Sequence, residues 1–208
     1  MANIGIIDYG SGNFGSVWDA VSRVAGSVGR ITKPEELRGY SHLILPGVGS
    51  FGGAIQKLQA QNLLDPISEL AKLGETPFLG ICVGMQVLAE SGSEFGESRG
   101  LAVVSGDVRR LKSSSPGQKL TLPHIGWNNI EINPSSRLFA GWEGVDFDFY
   151  FLHSFHLAVV NSDIVSSSCF YGENFVSSLE QGNTFGVQFH PEKSQFNGSK
   201  LLQRFVEM

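Results

Sequence analysis

Short apolar runs alternate with helix-like segments over residues 1–80, and this alternation constrains the fold more than any other feature of the chain. The runs are residues 4–7, 42–45 and 78–81. The segments between them carry apolar residues at helical spacing, and the last of these segments stops at Gly74. Short runs separated by helices favour a parallel α/β sheet. In such sheets, functional sites form at the carboxyl ends of the strands.

The pattern changes near Gly100, after which strand-like segments predominate. The predicted strands of this half are residues 102–104, 125–132, 149–160, 164–171, 175–179 and 185–189, followed by a helix that carries Leu201 and Phe205. We therefore expect a single domain over residues 1–208. In it, an open, mostly parallel sheet flanked by helices carries additional antiparallel strands in its C-terminal half.

Composition and charge exclude several classes of protein. The net charge is −5 and no basic cluster is present, which argues against a nucleic-acid partner. No stretch approaches the roughly 18 to 20 apolar residues of a membrane span, and the N-terminus lacks the basic region of a secretory signal. Two cysteines without a spacing pattern indicate reduced thiols in the cytoplasm. We expect no membrane association, no metal and no cofactor.

Residues 78–86 run from an apolar strand through Gly-x-Cys-x-Gly into a helical stretch, expected over residues 85–90. Small residues on both sides of Cys82 permit the sharp strand-to-helix turn of a nucleophile elbow. Such a turn places the thiol at a helix N-terminus, where the dipole and free N–H groups favour the thiolate. The backbone N–H of Val83 would then face the oxyanion of an acyl intermediate. The alternative is a buried structural cysteine, which is our interpretation of Cys169.

A nucleophilic thiol needs a base, and the base needs an orienting group. His190, Pro191 and Glu192 directly follow the last predicted strand. There His190 would move the proton, while Glu192 would hold the imidazole and stabilise its charged form. By itself the His-x-Glu pair is weak evidence, since it is more often part of a solvated loop. The other histidines are expected to be structural; they are His42, His124, His153 and His156.

A glycine-rich loop covers residues 45–53, after the second predicted strand. Its spacing matches neither the P-loop nor the dinucleotide-binding pattern, so nucleotide binding is not supported. Its backbone amides would be suited to supply a second oxyanion donor. The chain contains 26 glycines, more than is usual for its length. Part of this excess lies in loops of this kind, where the backbone must turn sharply or approach a substrate.

Together these segments resemble the class I, or triad-type, glutamine amidotransferases. That family shares a proline-glycine oxyanion loop, a Gly-x-Cys-x-Gly-x-Gln elbow and a late His-Pro-Glu, which occur here in the same order. The resemblance covers essentially the whole chain, and it implies a flavodoxin-like sheet. It is strongest to the branch that supplies ammonia to a (β/α)8-barrel synthase; the segments that carry it are 8–13 (Asp-Tyr-Gly-Ser-Gly-Asn), 46–52 (Pro-Gly-Val-Gly-Ser-Phe-Gly), 123–128 (Pro-His-Ile-Gly-Trp-Asn) and 189–194 (Phe-His-Pro-Glu-Lys-Ser).

The resemblance also implies a mechanism. Cys82 would attack the carboxamide of glutamine, and His190, oriented by Glu192, would protonate the departing ammonia and later activate water. The other matching residues have three implied roles. The oxyanion hole would be formed by backbone N–H groups of Val83, Val48 and Gly49, and glutamine would be bound by Gly49, Gln86, Ser154 and Phe155. The residues that would face the partner are Asn13, Trp127 and Lys193. In this branch the partner is a barrel synthase, held in a heterodimer, which uses the ammonia to make imidazole glycerol phosphate and a purine precursor in histidine biosynthesis.

Two positions depart from the family pattern. Val48 stands where many relatives outside this branch have a second glycine, and a β-branched residue resists positive φ. We therefore hypothesise that this loop limits activity until a partner remodels it. Phe155 replaces the tyrosine usual in this branch, which affects the substrate pocket or the interface rather than the triad.

Two alternatives remain open at this point. A paralogue would have the same chemistry but would supply ammonia to a surface-sugar amidotransferase. A regulatory subunit without activity is a different class of protein, and it would need none of Cys82, His190 and Glu192. The presence of all three favours a glutaminase.

Overall fold

The computed structural model describes residues 2–112, 114–115, 118–142 and 147–208. Strands and helices alternate in the first part: β1 (Asn3–Ile7), α1 (Phe14–Ser22), β2 (Ser27–Ile31), β3 (His42–Gly47), α2 (Phe51–Ala60), α3 (Leu64–Leu73), β4 (Phe78–Cys82) and α4 (Val83–Gln86). The second part is mainly β-structure: β5 (Ser91–Gly92), β6 (Ser98–Arg99), β7 (Gly106–Arg110), β8 (Ser114–Ser115), β9 (Gln118–Lys119), β10 (His124–Ile132), β11 (Asp148–His153), β12 (Phe155–Val159), β13 (Val165–Phe170), β14 (Asn174–Gln181) and β15 (Thr184–Val187), followed by α5 (Gln195–Val206). Short 3-10 turns cover Pro34–Gly39, Ser162–Ile164 and Pro191–Lys193.

Within the described residues, nine strands form one sheet in the order β11-β10-β13-β14-β15-β4-β3-β1-β2. The five strands from β15 to β2 pair in parallel, whereas β14, β13, β10 and β11 are added by antiparallel pairings. A smaller sheet has the order β12-β7-β5-β6, and β8 pairs with β9. Helix α1 packs against α5, and α2 packs against α3. The predicted fold class is confirmed, including the antiparallel strands of the C-terminal half.

Parallel pairing brings the carboxyl ends of β3, β4 and β15 to one edge of the sheet. In the register of these strands, Gly47 lies opposite Cys82, and Val187 lies opposite Ile81. The chain leaves these three ends through the glycine loop, through α4 and through residues 188–190. The three sequence segments with chemical signals therefore meet at neighbouring strand ends.

Residues 149–160, expected to form one strand, form two strands in different sheets. β11 pairs with β10 in the large sheet, whereas β12 pairs with β7 in the small one. The chain changes sheet at Ser154, between them. Apolar residues continue through both halves, so the pattern gives no sign of the change in pairing partner.

Two further local predictions are wrong for one shared reason. Residues 102–104 form no strand, because their N–H groups donate to the carbonyls of Leu88 and Ala89. The helix expected over residues 85–90 ends at Gln86, and the carbonyl of Val87 accepts from Leu101 instead of from a further helical turn. A tertiary contact between these two segments thus replaces both predicted elements. The prediction also omits β2, an edge strand without an apolar run.

The helices are short and bury one face each. In α3, Ile67 and Ala71 are buried one turn apart, and the helix stops at Gly74, whose φ of 65° suits glycine, as the sequence predicts. Burying an aliphatic side chain of the size of Ile67 contributes about 1.5–3 kcal/mol. None of the described helices is long and apolar enough to cross a bilayer.

Candidate active site

Cys82 ends β4 and immediately precedes α4. Its φ of 53° and ψ of −109° form a conformation that few residues other than glycine adopt. Close packing holds this turn, because a Cβ on Gly84 would overlap the Leu45 carbonyl, and one on Gly80 would lie 2.5 Å from the Gly84 carbonyl oxygen. Both flanking glycines are therefore required by the sharp turn that presents the thiol.

His190 and Glu192 form a buried pair beyond the end of β15, the strand next to β4. His190 Nδ1 lies 2.7 Å from Glu192 Oε1, and both side chains are fully buried. Since a carboxylate only accepts hydrogen bonds, Nδ1 carries the proton and donates it. Nε2 has no hydrogen-bond partner among the residues described, so it is the nitrogen available for proton transfer.

The charges of the site favour a protonated His190. Burial lowers the pKa of His190, but the neighbouring Cys82 sulfur and Glu192 carboxylate raise it to about 10. Burial raises the pKa of Glu192, whereas hydrogen bonds from His190 and Asn13 bring it below its usual value. Both neighbours of the ring, the Glu192 carboxylate and the Cys82 sulfur, thus favour a positive charge on His190.

The side chain of Asn13, a residue that the family resemblance predicts at a partner interface, contacts the Glu192 carboxylate. Its Nδ2 donates to Glu192 Oε1 at 2.6 Å. Asn13 precedes α1 and has a φ of 79°, a left-handed conformation that asparagine tolerates better than most residues. The loop after β1 therefore helps to hold the carboxylate that orients His190.

A cavity of about 90 Å³ lies beside Cys82. Its lining contains all the residues predicted to bind glutamine or the oxyanion, namely Val48, Gly49, Val83, Gln86, Ser154 and Phe155. Gly49 has a φ of 102°, whereas φ at Val48 is not positive, so the glycine takes the strained position of the loop. The volume is far below the roughly 300–1,000 Å³ of pockets for drug-sized ligands, which suits a small substrate.

Three residues near Cys82 are not among the sequence predictions. Glu94 lines the same cavity, and its carboxylate accepts from the Phe51 N–H at 2.9 Å. Gln188 is fully buried and donates from Nε2 to Cys82 Sγ at 3.6 Å. Tyr9 is buried, and burial raises its pKa to about 12. No spacing pattern marks Glu94, but Gln188 and Tyr9 stand in or beside segments that the motif analysis singled out.

Trp127 and Lys193, predicted to face a partner, both lie close to the ring of Tyr150. The Trp127 and Tyr150 ring centroids are 6.2 Å apart, and Lys193 Nζ lies 5.7 Å from the Tyr150 ring centroid. Trp127 is 48% exposed, and the Tyr150 carbonyl accepts from the His190 N–H at 2.8 Å. We call Trp127, Tyr150 and Lys193 the aromatic face; it adjoins the His190–Glu192 pair.

The remaining thiol and histidines are buried. Burial raises the pKa of Cys169 to about 12, so this thiol is a poor nucleophile at neutral pH. Burial lowers the pKa of the four other histidines, which are His42, His124, His153 and His156. Only His153 of these four lines the cavity beside Cys82.

A thiol on a strained strand-to-helix turn, with a buried histidine–carboxylate pair beyond the end of the adjoining strand, is the arrangement expected of a triad-type cysteine hydrolase. The family model described as "Glutamine amidotransferase class-I" matches residues 6–208 of the chain. A crystal structure of a glutamine amidotransferase has a TM-score of 0.73 to this chain at 21% identity, covering 98% of this chain and 97% of that one.

Curated relatives narrow the assignment. The chain is 40% identical to imidazole glycerol phosphate synthase subunit HisH of Moorella thermoacetica, covering 100% of this chain and 96% of that protein. It is also 40% identical to the subunit HisH of Salinibacter ruber, covering 98% and 93%. The chain therefore belongs to the class-I glutamine amidotransferase family, in the branch of the HisH subunits of imidazole glycerol phosphate synthase. The family predicted from the motifs is confirmed.

Proposed function

We propose that this chain hydrolyses glutamine to glutamate and ammonia through a thioester on Cys82, and that the ammonia passes to a (β/α)8-barrel synthase subunit. One observation carries the proposal: Cys82 and the His190–Glu192 pair stand at the carboxyl ends of neighbouring parallel strands. The HisH relatives support the choice of partner, since their names make them subunits of imidazole glycerol phosphate synthase.

The first half of the reaction forms the thioester. The Cys82 thiolate adds to the carboxamide carbon of glutamine, and the carbonyl electron pair moves to the oxygen. Backbone N–H groups of Val83 and of the 48–49 turn stabilise that oxyanion. His190 then gives its Nε2 proton to the amide nitrogen, the C–N bond breaks, and ammonia leaves. Glu192 holds Nδ1 at 2.7 Å throughout, which keeps Nε2 directed to the reacting atoms.

The second half releases glutamate. The neutral Nε2 of His190 takes a proton from water, and the resulting hydroxide adds to the thioester carbon. The tetrahedral intermediate collapses, the C–S bond breaks, and the Cys82 thiolate returns beside the imidazolium. Glutamate leaves the cavity, and the resting ion pair is restored.

Glu94 gives the cavity a charge that suits an amino acid. Its carboxylate is oriented by the Phe51 N–H and lies in the lining with Gln86 and Ser154. We assign it to the α-ammonium group of glutamine, because a partly buried carboxylate binds an ammonium strongly and this one forms no ion pair with any of the described residues. Gly49, Gln86, Ser154 and Phe155 complete the glutamine site as the family resemblance implies.

The aromatic face is the proposed docking surface for the synthase. It adjoins the catalytic pair, so ammonia released there would enter the partner without crossing bulk water. Phe196 and Ile125, at 72% and 58% exposure, extend the apolar character around Trp127. Exposed aromatic and apolar groups beside a lysine are typical of the surfaces through which subunits associate.

The test is an ammonia-release assay of the purified chain, alone and with the barrel synthase and its nucleotide substrate. We expect glutamate and ammonia in equal amounts, with activity abolished in Cys82→Ala. A wild-type chain that is inactive under both conditions would overturn the proposal. Equal activity of wild type and Cys82→Ala would instead support a catalytically silent subunit, and activation only by a sugar amidotransferase would support the paralogue.

A further inference from the structure

The side-chain amide of Gln188 points at the sulfur of Cys82. Its Nε2 lies 3.6 Å from Sγ, and the whole residue is fully buried. The reaction described above gives this residue no role. A hydrogen bond from N–H to sulfur is stronger when the sulfur is charged, so the contact favours the thiolate over the thiol.

Gln86 fixes the orientation of the Gln188 amide. Gln86 Nε2 donates to Gln188 Oε1 at 3.0 Å and to the Phe155 carbonyl oxygen at 2.8 Å. Reversing the Gln188 amide would set its NH2 against the NH2 of Gln86, whose own orientation is fixed by its donation to the Phe155 carbonyl. A hydrogen bond would become a repulsive contact, so the favoured orientation is the one that places a donor on the sulfur.

The Phe155 carbonyl, on which Gln86 depends, also interacts with a histidine, His153. His153 Nδ1 lies 2.9 Å from this carbonyl oxygen and must donate to it, because the oxygen only accepts. Burial lowers the pKa of His153 to about 3 and that of His124 to about 4, so both rings are neutral. His153 Nε2 therefore accepts from His124 Nδ1 at 3.3 Å, and His124 Nε2 accepts from Asn128 Nδ2 at 3.3 Å.

These contacts fix the position of the carbonyl that Gln86 needs. The hydrogen bonds form two paths. In the first, Asn128 on β10 donates to His124, His124 to His153, and His153 to the Phe155 carbonyl. In the second, Gln86 donates to Gln188 and Gln188 to Cys82, and Gln86 joins the two paths because it also donates to the Phe155 carbonyl. Each buried polar group in this hydrogen-bonded network has one proton arrangement that satisfies its neighbours. A network of this kind is rigid, because any reversal leaves a buried group unsatisfied.

We propose that Gln188 is a catalytic residue of the glutaminase site, whose side-chain N–H group holds the Cys82 sulfur as a thiolate, and that Gln86 is its positioning residue. The inference rests on the proposed function, in which Cys82 is the nucleophile. Gln188 acts on the resting enzyme, because the negative charge that it stabilises is on the sulfur before attack and moves to the oxyanion during attack. Gln86 thus serves the nucleophile in addition to any contact with glutamine.

The test measures the reactivity of the thiol without glutamine or partner. In the full-length chain with Cys169→Ser, Cys82 is the only cysteine, so alkylation by iodoacetamide reports on Cys82 alone. We expect Gln188→Leu to move the low-pH limb of the alkylation profile toward higher pH, so that the rate measured on that limb falls by about tenfold. Gln86→Leu, which leaves the donor but frees its orientation, should give a smaller shift in the same direction.

Gln181→Leu is the matched control, because Gln181 Nε2 donates to the Val103 carbonyl at 3.0 Å, outside the site. A folded Gln188→Leu protein with the pH profile of this control would overturn the proposal. If Gln188→Leu does not fold, the side-chain amide NMR signals of Gln188 are compared between wild type and Cys82→Ala. We expect them to move, and unchanged signals would refute the contact. Absence of glutaminase activity in the wild-type protein would refute the proposed function, but it would not refute the effect of Gln188 on the reactivity of the Cys82 thiol.

Discussion

Asn13 donates a hydrogen bond from Nδ2 to the Glu192 carboxylate at 2.6 Å, across 179 positions of sequence. The oxygen that accepts it also accepts from His190 Nδ1 at 2.7 Å. The loop after the first strand is thereby joined to the pair that follows the last strand. A residue that the family resemblance places at the partner interface is thus in direct contact with the proposed triad.

Replacing Asn13 tests whether this contact matters to the reaction. We expect Asn13→Ala to lower kcat for ammonia release by about tenfold, since a hydrogen bond to a buried charged group contributes about 1.5–3 kcal/mol. KM for glutamine should change little, because Asn13 does not line the cavity. Asn161→Ala, in an exposed turn, is the control. A variant with wild-type kcat and weaker partner binding would assign Asn13 to the interface alone.

The ionisation of the histidines is open to NMR titration. With a pKa near 10, His190 should remain protonated from pH 6 to pH 8 and lose its proton only at higher pH. Glu192→Gln should lower the midpoint, because it removes the charge that favours the imidazolium. His153 should stay neutral throughout, since its pKa is about 3. A His190 midpoint at or below 6.5 would contradict this charge arrangement.

Glu94 should determine affinity for the amino acid rather than the rate of its hydrolysis. We expect Glu94→Gln to raise KM for glutamine by about tenfold or more with little change in kcat, because it removes an ion pair but keeps an acceptor for the Phe51 N–H. Glu97→Gln, on the same loop but exposed, is the matched control. A normal KM in Glu94→Gln would show that another group binds the ammonium.

The glycine loop is the element most open to regulation. We expect Val48→Gly to raise glutaminase activity in the absence of partner, because glycine removes the restriction on φ beside Gly49. Activity with the partner bound should change less. Val160→Gly, at an exposed position, controls for the general effect of added glycine. Unchanged partner-free activity in Val48→Gly would refute the hypothesis that this loop limits the resting enzyme.

Local sequence determined the elements that build the active-site edge. The apolar runs specify β1, β3 and β4, because a buried parallel strand needs little more than consecutive apolar residues. The glycines around Cys82 specify its turn, since a Cβ at Gly80 or Gly84 would meet backbone atoms. The apolar runs and the contact between Gly80 and Gly84 depend on neighbours within a few residues, so the sequence itself predicts them. The Leu45 carbonyl that excludes a Cβ at Gly84 lies on the neighbouring strand, but the Gly-x-Cys-x-Gly spacing already indicates the turn.

Tertiary packing decided the rest. Three features depend on partners that are distant in sequence. They are the sheet that residues 155–159 join, the carbonyls to which the N–H groups of residues 102–104 donate, and the atom that faces the Cys82 sulfur. Gln86 and Gln188 are hydrogen-bonded although they are 102 positions apart in the sequence, and no pattern in either segment predicts this contact. A buried polar group must be satisfied by whichever neighbour the fold supplies. Local sequence therefore specifies the nucleophile and its turn, whereas the hydrogen bonds that orient the site form only when the tertiary fold brings distant segments together.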